Sequence, residues 1–337
     1  MVAIMQTRVT TYEETALLNR IRKLALFAML LACAMSAQSQ AWPSKPIRWI
    51  VGYSPGGGTD MIARVLAEQM SQTLGQPIVV ENKPGANTMI AADFVAKAQP
   101  DGYTILIADN GTLVANGALY KKLSYDPVAD FAPISMIGRF QFVVLVNPST
   151  GIKDFAELKK QVAAAPTKFN YSSVGAGSPF HIGMELIKHE AGLTINHVPY
   201  RGMAPAVQAI LAGEVQMMIA DVSTAMPYIK AGKLVAIASA TARRNPQLPD
   251  VPTLGELGFS SFGGWQALVV PAGTPEDVKA KLGVALKAAM ATPVSRKLFE
   301  EKSIDPETST PAELKAYQQT EIVRWHKFIK DRGISLE

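Results

Sequence analysis

Apolar runs of strand length alternate with amphipathic stretches along the chain from residue 47 onwards. The runs with strand character cover 47–53, 77–81, 103–108, 133–146, 168–173, 195–199, 215–220, 234–240 and 265–270. Most segments between them carry apolar residues at the spacing of one helix face. Strands that alternate with helices in this way predict an α/β protein with parallel sheets.

The first apolar run ends in a glycine-rich loop. Residues 54–60 read Ser-Pro-Gly-Gly-Gly-Thr-Asp and precede a helix predicted over 60–74, with Thr59 or Asp60 as its N-cap. Glycines before a helix leave backbone N–H groups uncovered, and the helix dipole adds positive potential at the same place. The loop is therefore predicted to bind an anion, with a purely structural tight turn as the alternative.

Two known phosphate-binding loops fit this segment poorly. A Walker loop needs Lys and then Ser or Thr after its last glycine, whereas Thr59 and Asp60 follow here. A dinucleotide-binding fingerprint matches at Gly56 and Gly58, but Met61 occupies the position of its third glycine. We therefore expect no nucleotide cofactor.

A second unit of strand, glycine loop and helix begins about 120 residues later. The strand over 169–173 leads into Gly175-Ala176-Gly177, and Ser178 and Pro179 suit the N-cap and the first residue of the next helix. Two such units are what two similar domains facing one cleft would contain. An anion in that cleft would then be held from both sides.

Apolar residues run into proline near 145–153 and near 268–275, and we interpret these segments as two crossings between lobes. The first lobe is predicted to combine 42–147 with 271–337, and the second to span 148–270. Two crossings permit hinge closure over a ligand.

Polar residues that follow other predicted strands are expected at the same cleft, because open parallel sheets bind ligands at the carboxyl ends of their strands. Asn87, Asn110 and Thr112 are hydrogen-bonding residues of suitable size. Asp221 ends an apolar strand, where its carboxylate could accept a hydrogen bond from a ligand hydroxyl, amine or protonated acid. The alternative for Asp221 is a helix N-cap before 222–231.

Side chains that support catalysis or metal binding are sparse. His189 and His197 lie eight residues apart, which is not a metal-ligand spacing. Ser178 and His181 lack the Gly-x-Ser-x-Gly elbow and the neighbouring acid of a serine hydrolase, so contact with a ligand or helix capping remains their alternative roles. We predict no catalytic residue, no metal and no cofactor.

The N-terminal segment has the pattern of an export signal. Three basic residues within 20–23 precede an apolar core over 24–35, and small residues at 39–41 fit a cleavage site. This predicts a signal peptide over 1–41 and a cysteine-free mature chain. Processing at Cys33, the only cysteine, is the lipid-anchored alternative. The apolar core is too short to span a bilayer stably.

The charge is mild once the leader is set aside. Of the formal net charge of +5, the first 41 residues carry +2, from four basic and two acidic residues, which leaves +3. No run of basic residues interleaves with aromatic ones, so nucleic acid is not an expected partner. A slight positive bias suits an anionic small molecule.

Several ordered motifs together resemble the Bug family, the extracytoplasmic solute receptors similar to the binding component of tripartite tricarboxylate transporters. The motifs read WPSKPI (42–47), GGGTD (56–60), ENKPGA (81–86), PDGYT (100–104), YDP (125–127), DFAP (130–133), HVPYRG (197–202) and IKAGKL (229–234). The resemblance extends from Trp42 to about Gly333.

The resemblance implies an α/β periplasmic binding protein of type II, a Venus flytrap with two doubly wound sheets and a hinge of two crossings. Such a receptor acts as a monomer that is not an enzyme, captures a small organic acid and delivers it to the membrane permease subunits of a tripartite tricarboxylate transporter. The ligand would be a di- or tricarboxylate, an acidic amino acid or an aromatic carboxylate. A sensing receptor, or an exported enzyme that uses the same cleft, is the alternative.

The resemblance also assigns the two loops their roles. The family typically holds the carboxylate by backbone and ordered waters from the first glycine loop, and second-lobe loops adjust the distal end. Together with the loop residues above, the predicted ligand-binding set is Tyr53, Pro55, Gly57, Gly58, Thr59, Asp60, Asn87, Asn110, Thr112, Ser178, Phe180, His181 and Asp221.

The chain departs from the family pattern at several positions. Asn87 and Met203 stand where glycines are common, and Asp109 replaces a small polar residue. An extra carboxylate at Asp109 would repel a second acid group on the ligand or favour an amine. We also predict that Gly57→Val weakens binding more than Asp60→Ala, because the glycine position admits the anion to the backbone.

Overall fold

The computed structural model describes residues 42–336. The predicted signal peptide over 1–41 and the lipid-anchor alternative at Cys33 lie outside this range. Within it, the structure contains no helix of the length and apolar character that crossing a membrane requires.

The strands of residues 42–336 form two sheets. In chain order they are β1 (Ile47–Val51), β2 (Ile78–Asn82), β3 (Thr104–Asp109), β4 (Phe131–Phe140), β5 (Phe142–Val146), β6 (Asn170–Ser173), β7 (Asn196–Pro199), β8 (Met217–Asp221), β9 (Val235–Ser239), β10 (Gly264–Pro271) and β11 (Ile304–Pro306). The first sheet has the order β11-β4-β10-β3-β1-β2, and the second has the order β7-β6-β8-β5-β9.

Helices connect most of the strands and cover the sheets. They are α1 (Gly58–Leu74), α2 (Met89–Ala96), α3 (Asn116–Leu119), α4 (Phe155–Ala164), α5 (Pro179–Ala191), α6 (Met203–Ala212), α7 (Val222–Lys230), α8 (Glu276–Met290), α9 (Pro293–Glu301) and α10 (Pro311–Asp331). A π-helical turn over Gly111–Ala115 precedes α3.

The two-lobed α/β architecture is confirmed, but each sheet is mixed rather than wholly parallel. β1 pairs in parallel with β2 and β3, and β6 pairs in parallel with β7 and β8. β10 runs antiparallel to β3 and β4, and β5 runs antiparallel to β8 and β9. β5 and β10 each enter their sheet directly from the other one, without the helical crossover that a parallel pair needs. β11 also runs antiparallel to its neighbour β4, but it follows two helices of the same lobe.

The chain changes sheet inside one predicted strand. The continuous apolar run over 133–146 is two strands, because β4 ends at Phe140 in the first sheet and β5 begins at Phe142 in the second. The return lies between β9 and β10. These changes of sheet come earlier in the chain than the lobe boundaries predicted near 145–153 and 268–275. Hydrophobic periodicity marks a strand but carries no information on which sheet receives it.

A buried amide ties the first crossing to the segment that makes the return. Gln141 is 6% exposed and accepts a hydrogen bond from Asn245 Nδ2 at 2.7 Å. Its own Nε2 donates to Asp305 Oδ2 at 2.9 Å. Aromatic rings add to this junction, since Phe142 packs against Phe180 with centroids 4.7 Å apart. The side-chain amide at the crossing therefore has a hydrogen-bond partner at both its oxygen and its nitrogen.

Candidate ligand-binding cleft

The first glycine loop ends at a helix that has no side-chain cap. α1 begins at Gly58 with Gly57 as N-cap, so the prediction of Thr59 or Asp60 as the cap was wrong. The first N–H groups of a helix have no acceptor inside it, and no acceptor within residues 42–336 contacts those of Gly57 or Gly58. A methyl group added at Gly58 would meet nothing within 4 Å. Gly57 and Gly58 are both exposed, so a ligand can reach this end of the helix.

The Asp60 side chain is buried against the loop backbone and does not face solvent. It is 2% exposed, and its Oδ2 accepts from the Gly56 N–H and from Arg64 Nε, each at 2.9 Å. Its Oδ1 accepts from Asn82 Nδ2 at 2.8 Å. Burial raises the pKa of Asp60, but the hydrogen bonds from Arg64, Gly56 and Asn82 outweigh it and hold the pKa below its ordinary value. The carboxylate ties the loop to the end of β2.

Asp109 is a second buried carboxylate of the first lobe. Tyr53 Oη donates to Asp109 Oδ2, while Asp109 Oδ1 accepts from the N–H and the hydroxyl of Thr112, each at 2.8 Å. Burial, reinforced by Asp109, raises the pKa of Tyr53 well above its ordinary value. Tyr53 and Thr112, which were predicted separately as site residues, are therefore joined through Asp109, which was not in the predicted set.

Asn87 lies between the lobes. Its Nδ2 donates to Asn116 Oδ1 at 2.7 Å and to the Gly177 carbonyl of the second glycine loop at 3.3 Å. Asn110 also borders the small space that separates this loop from the first lobe. The structure therefore brings the second glycine loop against Asn87 and Asn110 of the first lobe, although Asn87 and Gly177 are 90 residues apart in the chain.

The second glycine loop is capped as predicted. α5 begins at Pro179, and the Ser178 hydroxyl accepts from the His181 N–H at 3.3 Å and donates to the Gly175 carbonyl at 2.7 Å. His181 Nδ1 in turn accepts from the Gly177 N–H at 3.0 Å. Both ends of the loop are thus fixed by side chains from the start of α5.

Two stacked imidazole rings lie next to the second glycine loop. The rings of His181 and His197 lie 4.0 Å apart, and His197 Nε2 is 2.7 Å from the Ser173 hydroxyl, which also accepts from the Gly175 N–H. Burial and the neighbouring His181 lower the pKa of His197 to about 4, and burial also lowers that of His181. Both rings are therefore neutral at neutral pH. The Ser173 hydroxyl lies on a residue that is fully buried, so this pair offers no exposed nucleophile.

Asp221 caps a helix, which was the alternative to its ligand-binding role. Its carboxylate accepts from the Thr224 N–H at 3.0 Å and from the Ser223 hydroxyl at 2.5 Å, at the start of α7. Phe180 packs its ring against Phe142 in the core between the lobes. Pro55, Gly57 and Gly58 are exposed at the first loop.

Besides Asp109, two residues that support the loops were missed by the sequence analysis. His197 follows no recognisable spacing relative to Ser173, and Gln266 is 207 residues from Thr59, whose hydroxyl accepts a hydrogen bond from Gln266 Nε2. Only the strand pairing of the two sheets brings these residues to the loops. Residues 42–336 contain no group of three His, Cys, Asp or Glu side chains arranged to hold a metal.

Residues 62–334 match the sequence profile of the tripartite tricarboxylate transporter family receptor. The chain resembles the solved structure of the periplasmic binding protein BugD, with 32% identity, a TM-score of 0.78 and coverage of 87% of this chain and 99% of BugD. It is also similar to an R. palustris protein with adipate, at 32% identity and a TM-score of 0.81 over 88% of this chain and all of that one. MatC from Rhodopseudomonas palustris with bound malate shows 32% identity and a TM-score of 0.77 over 86% of this chain and all of MatC.

Proposed function

The chain belongs to the tripartite tricarboxylate transporter family of receptors, and on that basis we propose that it captures a small organic carboxylate between its two lobes and delivers it to a membrane permease. As a member of the Bug group it is a periplasmic solute-binding receptor. The proposal assigns it no catalytic step. It further includes export by the predicted leader, action as a monomer, and lobes that hinge where the chain changes sheet, near Gln141 and between β9 and β10.

One observation carries the carboxylate proposal. The N–H groups at the start of α1 have no protein acceptor within residues 42–336, and the space in front of Gly58 is open. A helix N-terminus with free N–H groups attracts an anion. The second glycine loop contacts the first lobe through the hydrogen bond from Asn87 to the Gly177 carbonyl, which supports a site between the lobes. An acid held there would contact both lobes and favour their closure.

The identity of the acid is open within the carboxylates. The neighbouring structures hold adipate and malate, which differ in length and in the hydroxyl of malate. Backbone donors recognise a carboxylate group without distinguishing the rest of the molecule. The chain's own ligand is therefore proposed to be a di- or tricarboxylate, an acidic amino acid or an aromatic carboxylate.

A thermal-shift screen of the receptor tests this proposal. The protein would be unfolded and refolded to remove retained ligand and then mixed with acids from each of these classes. Ligand at a hundredfold over its dissociation constant is expected to add about 2.7 kcal/mol of stability. No shift with any of the acids would contradict the proposal and direct the search to ligands without a carboxylate.

Gly57→Val is the matching variant. Gly57 has an ordinary φ of −77°, and a methyl group there would meet only the Ser54 carbonyl at 3.7 Å, so the fold should accept the change. The larger side chain would cover the free N–H groups, and we expect an affinity loss of about tenfold or more in titration calorimetry, the equivalent of roughly one charged hydrogen bond. Gly283→Val on α8, outside both loops, is the control. Unchanged affinity in Gly57→Val would contradict recognition by the backbone.

A further inference from the structure

The first lobe contains a buried amide that is only half satisfied. Gln266 is 5% exposed on β10, and its Nε2 donates to the hydroxyl of Thr59, the second residue of α1. Its Oε1 has no hydrogen-bond partner, and among residues 42–336 it is the one buried side-chain oxygen in this position. A buried acceptor without a donor is rare in folded proteins and destabilising.

The strand register places Gln266 beside the first glycine loop. Gln266 is paired directly with Asp109, the last residue of β3, so the two side chains point to the same face of the first sheet. Asp109 contacts Tyr53 of the first glycine loop, and Gln266 contacts Thr59 at the end of that loop. The amide oxygen therefore belongs to the same corner of the lobe as the free N–H groups of α1.

The two sets of groups have opposite hydrogen-bonding character. The backbone of the loop offers donors, which suit the carboxylate of a ligand. Gln266 Oε1 offers an acceptor, and both oxygens of the neighbouring Asp109 already have donors from Tyr53 and Thr112. A ligand group that satisfies Gln266 must therefore be a hydroxyl or an ammonium group, since a second carboxylate would be repelled by Asp109.

We propose that Gln266 is a specificity-determining residue, which selects acids that carry a hydroxyl or amino group close to the carboxylate held by the first glycine loop. This inference rests on the proposed carboxylate-binding function and narrows the ligand class. A site with a buried polar group discriminates strongly against an analogue that leaves the group unpaired. An acid without a donor would leave Gln266 as it is in the unliganded protein.

The test compares acids that differ by one donor. Affinities of the wild-type receptor are measured by titration calorimetry for succinate and malate, glutarate and glutamate, and phenylacetate and mandelate. In the series that the receptor binds, the member with the hydroxyl or amino group should bind roughly fivefold tighter or more, the contribution of one net hydrogen bond. In Gln266→Met that ratio should fall to about one, because any loss of affinity from the missing contact with Thr59 is shared by both members of a pair.

Gln318→Met is the matched control. Gln318 is also a buried glutamine of the first lobe, but its Nε2 is fully engaged by the carbonyls of Leu113 and Pro127. This variant should lower the melting temperature and leave the ratio unchanged. Equal affinities for both members of a bound pair in the wild type, or a ratio that survives in Gln266→Met, would overturn the role of Gln266. Failure of all acids to bind would instead overturn the carboxylate proposal itself.

Discussion

The two glycine loops have the same order of strand, loop and helix but are held in place by different chemistry. The first loop is fixed by a charged side chain, because Asp60 joins Gly56, Arg64 and Asn82. The second is fixed by neutral groups, namely the Ser178 cap and the imidazole of His181. The first loop leaves the N-terminus of α1 without a side-chain cap, whereas Ser178 of the second loop caps the N-terminus of α5.

This difference separates the tasks of the two loops. An uncapped N-terminus keeps its donors for a ligand, and the buried Asp60 holds them in place from behind. A capped N-terminus has fewer free donors, so the second loop offers shape and carbonyl groups rather than an anion site. The first loop is therefore expected to bind the carboxylate, and the second to close over it. Four changes test this contrast.

Asp60→Ala should have the largest effect. It removes a buried carboxylate and leaves the Gly56 N–H and the Asn82 amide without their partner, so the free energy of unfolding should fall by about 3 kcal/mol. Urea unfolding measures this loss. Asp93→Ala, which removes a half-exposed partner of Lys97, is the control and should change stability by about 0.5 kcal/mol at most. Similar losses of stability in the two variants would contradict the role of Asp60 in holding the first loop.

Gly177→Ala should lower the stability of the protein more than Gly57→Ala, because only Gly177 is required by the local backbone and packing. Gly177 has a φ of +77°, and an added methyl group would lie 2.6 Å from Leu336 Cδ1, so we expect a loss of about 2 kcal/mol. Gly57 has neither constraint, and Gly57→Ala should change stability by about 0.5 kcal/mol at most. Thermal unfolding of both variants at one pH compares them. Equal losses of stability in Gly177→Ala and Gly57→Ala would contradict this difference between the two loops.

Acidification should weaken the second loop through His197. In the folded protein the pKa of His197 is about 4, below the ordinary value of 6.5. Between these two pH values the unfolded chain binds a proton that the folded protein does not bind, so stability falls as the pH falls. The groups that face His197 are His181, Glu185 and Lys188, and the Tyr171 ring stacks on it with centroids 4.8 Å apart. Because His197 is partly exposed, the expected loss between about pH 7 and about pH 5 is only 1 to 2 kcal/mol, roughly. Urea unfolding of wild type and His197→Gln at both pH values should show a smaller loss in the variant, in which only His181 of the stacked pair still contributes.

Ser178→Ala should have the smallest effect, a loss of about 1 kcal/mol from the missing N-cap of α5. Ser178→Gly should restore most of it, because glycine is also an acceptable N-cap. Thermal unfolding distinguishes the two variants. If both were neutral, the cap would not be what holds this end of the loop, and the His181 contact would have to do so alone.

The local elements were largely predictable. Most strand ends agree within a few residues, and Ser178 and Pro179 begin α5 as their chemistry predicts. The N-cap of α1 was assigned wrongly, because Asp60 has a typical capping side chain that the tertiary structure uses instead to bind Gly56 and Asn82. The run over 133–146 was read as one strand, because its apolar periodicity continues unbroken through Gln141.

The class of fold, the two glycine loops and the family could be predicted from the amino-acid sequence, since turns, periodicity and motifs are local properties of the chain. The side chains that support those loops could not be predicted, because they come from distant parts of the chain. His197 reaches Ser173 through the pairing of β6 with β7, and Gln266 reaches Thr59 through the pairing of β10 with β3. Such contacts depend on strand order and register, which join residues far apart in the chain and leave no spacing between them to recognise.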